Sequence, residues 1–223
     1  VAGFVQASSM VVYGEGRYRC PEHGDQGPGP RARETLESGQ FENPCPVCAA
    51  PLAWALVDEE APLDPRSSYA ASKVAQEHYA SAWARQSPGA AISLRYHNVY
   101  GPGMPRDTPY SGVAAMFRSS PERGEPPVVF EDGQQVRDFV HVEDVARANV
   151  AAALAVGDRN EGSHAAYNAC SGSPVAIADV ARAVVVVEFH HVDADDLDPD
   201  DPDDADDPED PRDGAGGRGR RQG

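Results

Sequence analysis

Short apolar segments alternate with amphipathic segments along the first 187 residues of the chain. Apolar segments rich in β-branched and aromatic residues predict buried strands within residues 3–14, 91–101 and 164–172. Apolar positions at helical spacing predict helices over residues 67–86, 111–120, 143–156 and 174–185. Strands that alternate with helices predict an α/β fold with a largely parallel sheet.

Two segments depart from this alternation. Residues 15–65 are rich in Pro, Gly and charge and hold three of the four cysteines, which predicts a long irregular insertion. Residues 126–142 carry Asp132-Gly133 at a turn position and predict a β-hairpin. The helix that follows the insertion comes after Pro65 and is predicted to begin at a serine cap, Ser67 or Ser68.

The end of the chain differs in composition from the rest. From His191 onward there are 13 acidic residues and four arginines, so this segment carries −9 of the total charge of −17. It has almost no apolar residues, which predicts a disordered acidic tail over residues 188–223. The tail is either a native interaction segment or non-native sequence, such as a frameshift produces. The second interpretation is favoured because the helical pattern at 176–185 is cut short.

The first 190 residues carry a net charge of only −8 and show no basic cluster of the kind that a nucleic-acid-binding domain uses. No segment approaches the roughly 18 apolar residues that span a membrane. The first residues also lack the charged start and long apolar stretch of a secretory signal. We therefore expect no nucleic-acid partner, no membrane association and a cytoplasmic location.

Tyr69 and Lys73 lie four residues apart in a predicted helix, so their side chains share one face. An ammonium group held near a phenol favours the phenolate, which makes Tyr69 a candidate general base and acid. A Tyr-x3-Lys pair is a weak signal by itself, because most such pairs in helices are surface coincidences. The pair gains weight only from the motifs around it.

Four motifs occur in order along the chain: "ASSMVVYG" (7–14), the Tyr69–Lys73 helix, "LRYHNVYGPG" (94–103) and "GQQVRDFVHVEDVA" (133–146). Together they resemble the extended short-chain dehydrogenase/reductase family, specifically its NAD-dependent nucleotide-sugar epimerases and dehydratases. The resemblance covers about residues 3–185. It implies a partial Rossmann-like parallel sheet in residues 1–110, interrupted by the insertion, and a small partial substrate-binding α/β portion in residues 111–187.

The resemblance also implies catalytic and cofactor-binding roles. Ser9 matches the catalytic Ser/Thr that hydrogen-bonds the sugar hydroxyl, although a strand-end serine can also be a purely structural hydrogen-bonding group. Tyr69 matches the catalytic base, and Lys73 matches the lysine that holds the nicotinamide ribose of NAD. His97 falls where a backbone contact to the nicotinamide is expected. By contrast, His141 is expected to be structural.

Further residues match the part of the family's site that holds the sugar nucleotide. Asn98 falls at the position that holds the phosphate region. Arg137 matches an arginine that pairs with the diphosphate, a task suited to a planar and permanently charged guanidinium. Residues 128–130 are expected near the nucleotide base. The alternative for Arg137 is a surface ion pair with Asp138 or Glu143.

The residues after Ser9 narrow the reaction class. Family 4,6-dehydratases carry Asp-Glu there, whereas this chain has Met10 and Val11, which cannot transfer protons. The resemblance therefore implies a 4-epimerase, in which Tyr69 takes the C4 hydroxyl proton while NAD takes hydride, and hydride returns to the other face of the 4-keto sugar. Two alternatives stay open: a decarboxylase or another nucleotide-sugar enzyme of the family, and a non-enzymatic zinc-stabilised binding module.

The insertion holds two close pairs of metal-ligand residues, Cys20-x2-His23 and Cys45-x2-Cys48. Four such ligands suit a tetrahedral structural zinc ion. Metal binding would supply folding free energy to a segment so rich in Pro and Gly. Free thiols remain an alternative, and a disulfide is disfavoured in a reducing cytoplasm. Cys170 stands alone and is expected to be buried.

The insertion sharpens the resemblance. The stretches "YRCPEHG" (18–24), "CPVC" (45–48) and "APLDPRSSYAASK" (61–73) resemble the dTDP-L-rhamnose 4-epimerase branch of the family. That resemblance implies a dTDP-sugar of the 6-deoxyhexose type as substrate. It also implies a homodimer for the full-length family member.

One expected motif does not occur in the sequence. Family members hold the NAD pyrophosphate on a glycine-rich turn after their first strand, but no G-x-x-G-x-x-G follows a strand here. The sequence is expected to begin near the fifth strand of the parent fold, without the first NAD-binding strands. We therefore predict that the isolated chain binds NAD weakly and has little or no activity. A sheet edge left exposed by the missing strands would also lower its solubility.

Overall fold

A computed structural model of the protein describes residues 3–104 and 129–184. The predicted helix at 111–120, Val128 and the predicted acidic tail at 188–223 lie outside the described residues. The predicted boundary between the two portions of the chain, at residues 110 and 111, also lies outside them. The division into a Rossmann-like and a substrate-binding portion therefore stays a prediction.

Strands and helices alternate along the described residues. The strands are β1 (Gly3–Ser9), β2 (Arg17–Cys20), β3 (Gly24–Gln26), β4 (Ala53–Ala55), β5 (Ala90–Tyr96), β6 (Asn98–Tyr100), β7 (Val136–Arg137), β8 (Phe139–His141), β9 (His164–Ala169) and β10 (Val175–Ala176). The helices are α1 (Arg33–Glu37), α2 (Ser68–Gln86), α3 (Val142–Ala155) and α4 (Ile177–Val184), with 3-10 turns at Met10–Tyr13 and Val156–Asp158.

The main sheet contains three parallel strands in the order β1-β5-β9. The register pairs Gly3 with Ala90 at one end, and Ser9 with Tyr96 and Tyr96 with Ala169 at the other. The predicted α/β class with a parallel, partial Rossmann-like sheet is confirmed. The carboxyl ends of all three strands consequently meet at one edge of the sheet.

Strand β5 is covered on both faces, which explains why its sequence is an almost continuous apolar segment. Alternate side chains face α3 and form one core, which contains Ala90, Ile92, Leu94, Ala152 and Val156. The other face packs against α2 through a second core, which contains Ala80, Ala84 and Ala91 with Phe4 and Trp83. The sheet is therefore the middle of three layers, with α2 and α3 outside it.

Helix α2 begins where the sequence predicted. Ser67 is the cap, and its hydroxyl oxygen accepts a hydrogen bond from the Ala70 amide at 3.1 Å. The helix ends at Gln86, immediately before Ser87-Pro88. Small alanine side chains on its inner face allow the helix to approach the sheet closely, and Ala84 is fully buried.

The prediction of a wholly irregular insertion at 15–65 is wrong. β2 pairs antiparallel with both β3 and β4 and forms a three-stranded sheet. The strands are only three or four residues long, too short to give a periodic pattern. The insertion leaves and rejoins the fold at one place, because Asp64 N donates to Val12 O at 2.9 Å. Gly14 (φ 63°) has room for no side chain there, since a Cβ would lie 2.3 Å from Asp64 O.

The prediction of a hairpin over residues 126–142 is wrong for the residues that the structure describes. A turn does occur at Gly133, whose amide donates to Phe130 O at 3.3 Å. However, β7 pairs antiparallel with β10, and β8 pairs parallel with β6. Both partner strands are distant in sequence, so no local pattern could identify them.

Two further predictions concern the burial of Cys170 and the presence of a membrane-spanning helix. Cys170 was expected to be buried, but it is exposed because it directly follows β9 at the open edge of the sheet. None of the helices in the described ranges is long and apolar enough to cross a membrane.

Candidate active site

The candidate active site lies at the carboxyl edge of the parallel sheet. Ser9 ends β1 beside Tyr96, the last residue of β5, and Tyr96 pairs with Ala169 at the end of β9. His97 and Asn98 directly follow Tyr96. In open α/β sheets, ligands bind at the carboxyl ends of the strands.

Tyr69 and Lys73 lie in the first two turns of α2. The Lys73 Nζ atom lies 5.6 Å from the centre of the Tyr69 ring and donates to Ala7 O of β1 at 3.1 Å. It also contacts Gln76 Oε1 at 3.4 Å. Tyr69 lies one turn nearer the start of α2, and its side chain is 52% exposed. Lys73 therefore connects α2 to β1, two residues before Ser9.

Ser9 has a structural role in the protein. This is the alternative to a catalytic role that its position at the end of a strand predicts. Its Oγ atom accepts a hydrogen bond from Val11 N at 3.4 Å and caps the 3-10 turn that follows β1. A hydroxyl that accepts one hydrogen bond can still donate its own proton. The structural role of Ser9 is therefore compatible with a bond to a substrate oxygen.

His97 and Asn98 are fixed by their backbone neighbours. The His97 amide donates to Ala169 O at 3.1 Å, and Asn98 Nδ2 donates to Asp138 O at 2.8 Å. Burial lowers the pKa of His97, although the nearby Asp138 opposes this, so the neutral imidazole is favoured. Its Nε2 atom is buried and has no hydrogen-bond partner among the described residues.

Arg137 is exposed on β7, close to Asn98 through the pairing of β6 with β8. Its guanidinium donates to Val136 O at 2.9 Å and to Gln135 Oε1 at 3.1 Å. Within residues 3–104 and 129–184 it forms no ion pair with a carboxylate. The predicted alternative partners are engaged elsewhere: Asp138 accepts from the amides of Ser171 and Gly172, and Glu143 faces Arg147 at 4.0 Å.

His141 has the structural role that was expected. Its Nδ1 atom accepts a hydrogen bond from Glu143 N at 3.3 Å and caps α3. Its ring also packs edge to face against Tyr100, with the ring centres 5.3 Å apart.

Sequence reasoning missed a buried ion pair beneath the candidate site. Arg95 of β5 and Glu77 of α2 form two hydrogen bonds, at 3.0 and 2.7 Å, with side chains only 6% and 5% exposed. The Ser8 hydroxyl donates to the same carboxylate. Burial opposes ionisation of Glu77, but the bonds from Arg95 and Ser8 outweigh burial and lower its pKa.

The ion pair extends into a network that reaches the end of the insertion. Arg95 Nη1 donates to the Tyr13 hydroxyl at 2.7 Å and to Glu59 O at 3.0 Å. The Tyr13 hydroxyl donates to Asn168 Oδ1 at 2.8 Å. Asn168 N in turn donates to Glu59 Oε1 at 2.8 Å. One signal could have revealed this network: an arginine in a strand that is buried on both faces must have a partner.

The four predicted metal ligands also come together, in a cluster remote in sequence from the residues above. Cys20 Sγ lies 3.4 Å from His23 Nδ1 and 3.7 Å from Cys48 Sγ, and Cys45 Sγ lies 3.8 Å from His23 Nδ1. All four ligand atoms lie within 4.8 Å of one another. Burial raises the pKa of the Cys45 thiol, but the amides of Cys48 and Val47 and the neighbouring thiols outweigh it and lower the pKa to about 7.

Comparison with known proteins identifies a family and relatives for this chain. Residues 1–170 match the model of the NAD dependent epimerase/dehydratase family. A dTDP-L-rhamnose 4-epimerase from Burkholderia thailandensis is 34% identical over 177 residues, which cover 79% of this chain and 46% of that protein. The chain therefore spans about half the length of that relative.

Two solved UDP-glucose 4-epimerases are also similar to this chain in sequence and structure. UDP-glucose 4-epimerase from Thermotoga maritima, solved with UDP-glucose, is 26% identical with a TM-score of 0.57, over 82% of this chain and 46% of that one. UDP-glucose 4-epimerase from Thermus thermophilus, solved with NAD, is 31% identical with a TM-score of 0.51, over 82% and 47% of the two chains.

Proposed function

Because the chain belongs to the NAD-dependent epimerase/dehydratase family, we propose that it carries the catalytic residues of an NAD-dependent nucleotide-sugar 4-epimerase, an isomerase. The observation that carries the proposal is the hydrogen bond of Lys73 to Ala7 O, two residues before Ser9 on β1, together with the position of Lys73 beside the Tyr69 ring. These contacts support a site in which a phenol, an ammonium and a hydroxyl act together at the carboxyl ends of the strands, where ligands bind in open α/β sheets.

In the proposed reaction, Tyr69 Oη accepts the proton of the sugar C4 hydroxyl, and Ser9 Oγ donates a hydrogen bond to the same oxygen. Lys73 favours the deprotonated phenol through its positive charge. When bound, NAD would provide the hydride acceptor for C4 and the hydride donor for the opposite face of the 4-keto sugar. Tyr69 Oη would return its proton to the C4 oxygen in the second half of the reaction. Met10 and Val11 offer no acid or base for loss of water, which favours epimerisation over dehydration.

The described residues fit the nicotinamide end of NAD. Tyr69 and Lys73 provide a hydroxyl and an ammonium, and His97 has a buried Nε2 atom without a partner among the described residues. The solved relative from Thermus thermophilus supports this cofactor, since it was solved with NAD. A glycine-rich turn for the pyrophosphate is not present in the sequence, so we expect the affinity of the chain itself for NAD to be weak.

The proposed substrate is a dTDP-linked 6-deoxyhexose, with Asn98 and Arg137 as its binding residues. Arg137 has no carboxylate partner within the described residues, so its guanidinium is available to a diphosphate. The Burkholderia relative supports the dTDP-sugar, and other relatives support a UDP-sugar. We further propose a cytoplasmic location, and a homodimer for the full-length family member.

A second candidate in the same family is decarboxylation of a nucleotide sugar. A UDP-N-acetyl-alpha-D-glucosaminuronate decarboxylase from Bacillus cytotoxicus is 38% identical over 87 residues, which cover 39% of this chain. Assays with UDP-linked uronic acids, in which release of carbon dioxide is measured, separate this reaction from 4-epimerisation.

A chimera tests the proposed function, because the sequence lacks the glycine-rich turn. Residues 3–104 would replace the matching segment of the Burkholderia relative. We expect the chimera to interconvert dTDP-L-rhamnose and its C4 epimer, and Tyr69→Phe to lower turnover roughly 10²- to 10⁴-fold. Tyr79→Phe is the matched control, since Tyr79 is 76% exposed on the same helix. A folded chimera that binds NAD without turnover would contradict the proposal.

The 223-residue chain is tested separately by calorimetry with NAD and by the same assay. We expect weak binding and little or no turnover. Tight NAD binding, or turnover by this chain, would overturn that expectation while supporting the epimerase proposal. Failure of this expectation can therefore be distinguished from failure of the epimerase proposal, which the chimera tests.

A further inference from the structure

The cysteine-rich insertion contains two turns of the same design. Each has two metal-ligand residues three positions apart, Cys20 with His23 and Cys45 with Cys48, followed by a residue with a left-handed backbone. The φ angle is 67° at Gly24 and 60° at Ala49. The second turn is closed by hydrogen bonds of 2.8 Å between Cys45 N and Ala50 O, and between Ala49 N and Cys45 O.

The left-handed conformation at Ala49 is informative because alanine rarely adopts it. It costs about 1–2 kcal/mol relative to an ordinary helical conformation. Such a conformation persists only where the surroundings impose it. Both cysteines of this turn contact the Cys20–His23 turn, Cys48 at Cys20 and Cys45 at His23.

The distances within the cluster are those of a tetrahedral metal site. Two sulfurs bound about 2.3 Å from a tetrahedral centre lie about 3.8 Å apart, and a sulfur and a nitrogen lie about 3.6 Å apart. Cys20 and Cys48 have their sulfurs 3.7 Å apart, and His23 Nδ1 lies 3.4 Å from Cys20 Sγ and 3.8 Å from Cys45 Sγ. A disulfide would require two sulfurs about 2.05 Å apart, and all four cysteines are free.

The insertion has too small an apolar core to fold by burial alone. Between residues 15 and 65, all of which the structure describes, the one cluster of buried apolar side chains contains Cys20, Cys45 and Leu52, with Tyr18 packed against it. Two of these three are metal-ligand residues. Val47, Trp54 and Leu56 are more than half exposed. Small modules of this kind need a metal or disulfides to become stable.

We propose that Cys20, His23, Cys45 and Cys48 bind one structural zinc ion through three thiolates and the Nδ1 atom of the imidazole. Four protein ligands fill the tetrahedron and leave no open position, so the ion is not catalytic. Thiolate and imidazole ligands suit zinc and disfavour calcium or magnesium, which take oxygen ligands.

The proposed ion organises a segment that contacts the rest of the fold at several places, two of which lie near the candidate site. Glu59 O and Glu59 Oε1 bind the buried network of Arg95 and Asn168. Arg31 binds Glu131 through an ion pair of 2.8 Å, next to the predicted nucleotide-base region. Zinc binding therefore stabilises these contacts through the insertion, without reaching the reacting atoms.

Metal content of the unaltered chain, purified without chelators, is the first test. We expect about one zinc ion per chain, with X-ray absorption showing three sulfur ligands and one nitrogen ligand. Absence of zinc from a chain refolded with excess zinc would overturn the proposal. Stoichiometric iron in place of zinc would overturn the assignment of the metal.

Reactivity of the four thiols provides a second test that needs no variant. The zinc site predicts that Cys170 alone reacts at once with a thiol reagent, although Cys48 is also exposed. The three cysteines of the cluster should react after a strong chelator is added. Immediate reaction of all four thiols in the purified chain would contradict zinc binding. Loss of two thiols that a reductant restores would indicate a disulfide and would contradict it as well.

Matched variants locate the site. Cys48→Ser and His23→Asn should lose bound zinc, whereas Cys170→Ser and His78→Asn should retain it. Cys170 and His78 are exposed residues of the same types outside the cluster. Retention of full zinc content by both cluster variants would overturn the ligand assignment. If a cluster variant fails to fold, the thiol-reactivity and metal-content tests on the unaltered chain still decide the proposal.

Discussion

The main sheet and the cysteine-rich insertion achieve order by different means. Strand β5 is covered on both faces, by α2 and α3, and forms an apolar core on each side. The insertion over residues 15–65 has one small cluster of buried apolar side chains, and most of that cluster is cysteine. Burial of apolar surface can stabilise the sheet, whereas the proposed zinc ion would supply much of the folding free energy of the insertion.

The two regions also place their polar groups differently. Between the sheet and α2, Arg95 and Glu77 are buried and bond to each other, and Ser8 and Tyr13 provide further hydrogen bonds. In the insertion, the ion pairs of Arg17 and Arg19 with Asp25 are solvent-exposed and contribute little. Loss of one buried charge should therefore affect the whole fold, whereas loss of the metal should affect the insertion first.

The largest expected effect follows from removing the buried cation. Arg95→Met leaves Glu77 buried without its partner, and we expect the free energy of unfolding to fall by about 3–5 kcal/mol. Urea denaturation measures this change. Arg147→Met is the control, because the ion pair of Arg147 with Asp144 is exposed, and it should cost less than about 1 kcal/mol. Equal losses of unfolding free energy in Arg95→Met and Arg147→Met would contradict a larger role for the buried ion pair.

Chelation of zinc should have a more local effect. We expect trypsin to cleave after Arg31 or Arg33 once a strong chelator is present, while residues 68–104 stay protected by the sheet. Mass spectrometry of the fragments identifies the sites. Cys170→Ser should behave as the unaltered chain does. Simultaneous cleavage in the insertion and in α2 would show that the two regions do not unfold separately.

A smaller effect concerns pH. Since the folded protein lowers the pKa of Glu77, its ionisation contributes stability that is fully present above the pKa of the unfolded carboxyl, about 4.3. This contribution is lost as the pH falls through the lower pKa of the folded state. Denaturation at a series of pH values from neutral into the acid range should show the loss. In Glu77→Gln, the loss of stability that is due to protonation of Glu77 should be absent. If the stability of this variant depends on acid pH as that of the unaltered chain does, the role of Glu77 is contradicted.

The smallest expected effect concerns the backbone of the second metal turn. Ala49→Gly removes the steric cost of a left-handed residue and should raise the stability of the insertion by at most about 1 kcal/mol. The chelator concentration that releases half of the zinc measures the change. Ala53→Gly, within β4, should have the opposite sign because glycine weakens a strand. A lower chelator resistance of Ala49→Gly than of the unaltered chain would contradict the argument.

Local sequence pattern was sufficient for the elements that form over short distances. The start of α2 at Ser67 follows from capping, and the facing of Tyr69 and Lys73 follows from helical spacing. The clustering of Cys20, His23, Cys45 and Cys48 was also predictable, because Cys-x2-His and Cys-x2-Cys spacings are specific. In these cases the residues that decide the structure lie within a few positions of one another.

Only the tertiary structure decided the contacts between distant segments. The pairing of β6 with β8, the sheet of β2 with β3 and β4, and the partnership of Arg95 with Glu77 leave no periodic signal in a single sequence. Whether a buried charge has a partner depends on which helix covers the strand, and short strands are selected by available partners. The sequence therefore determined that Tyr69 and Lys73 share one face of a helix, and the fold decided that Lys73 contacts β1.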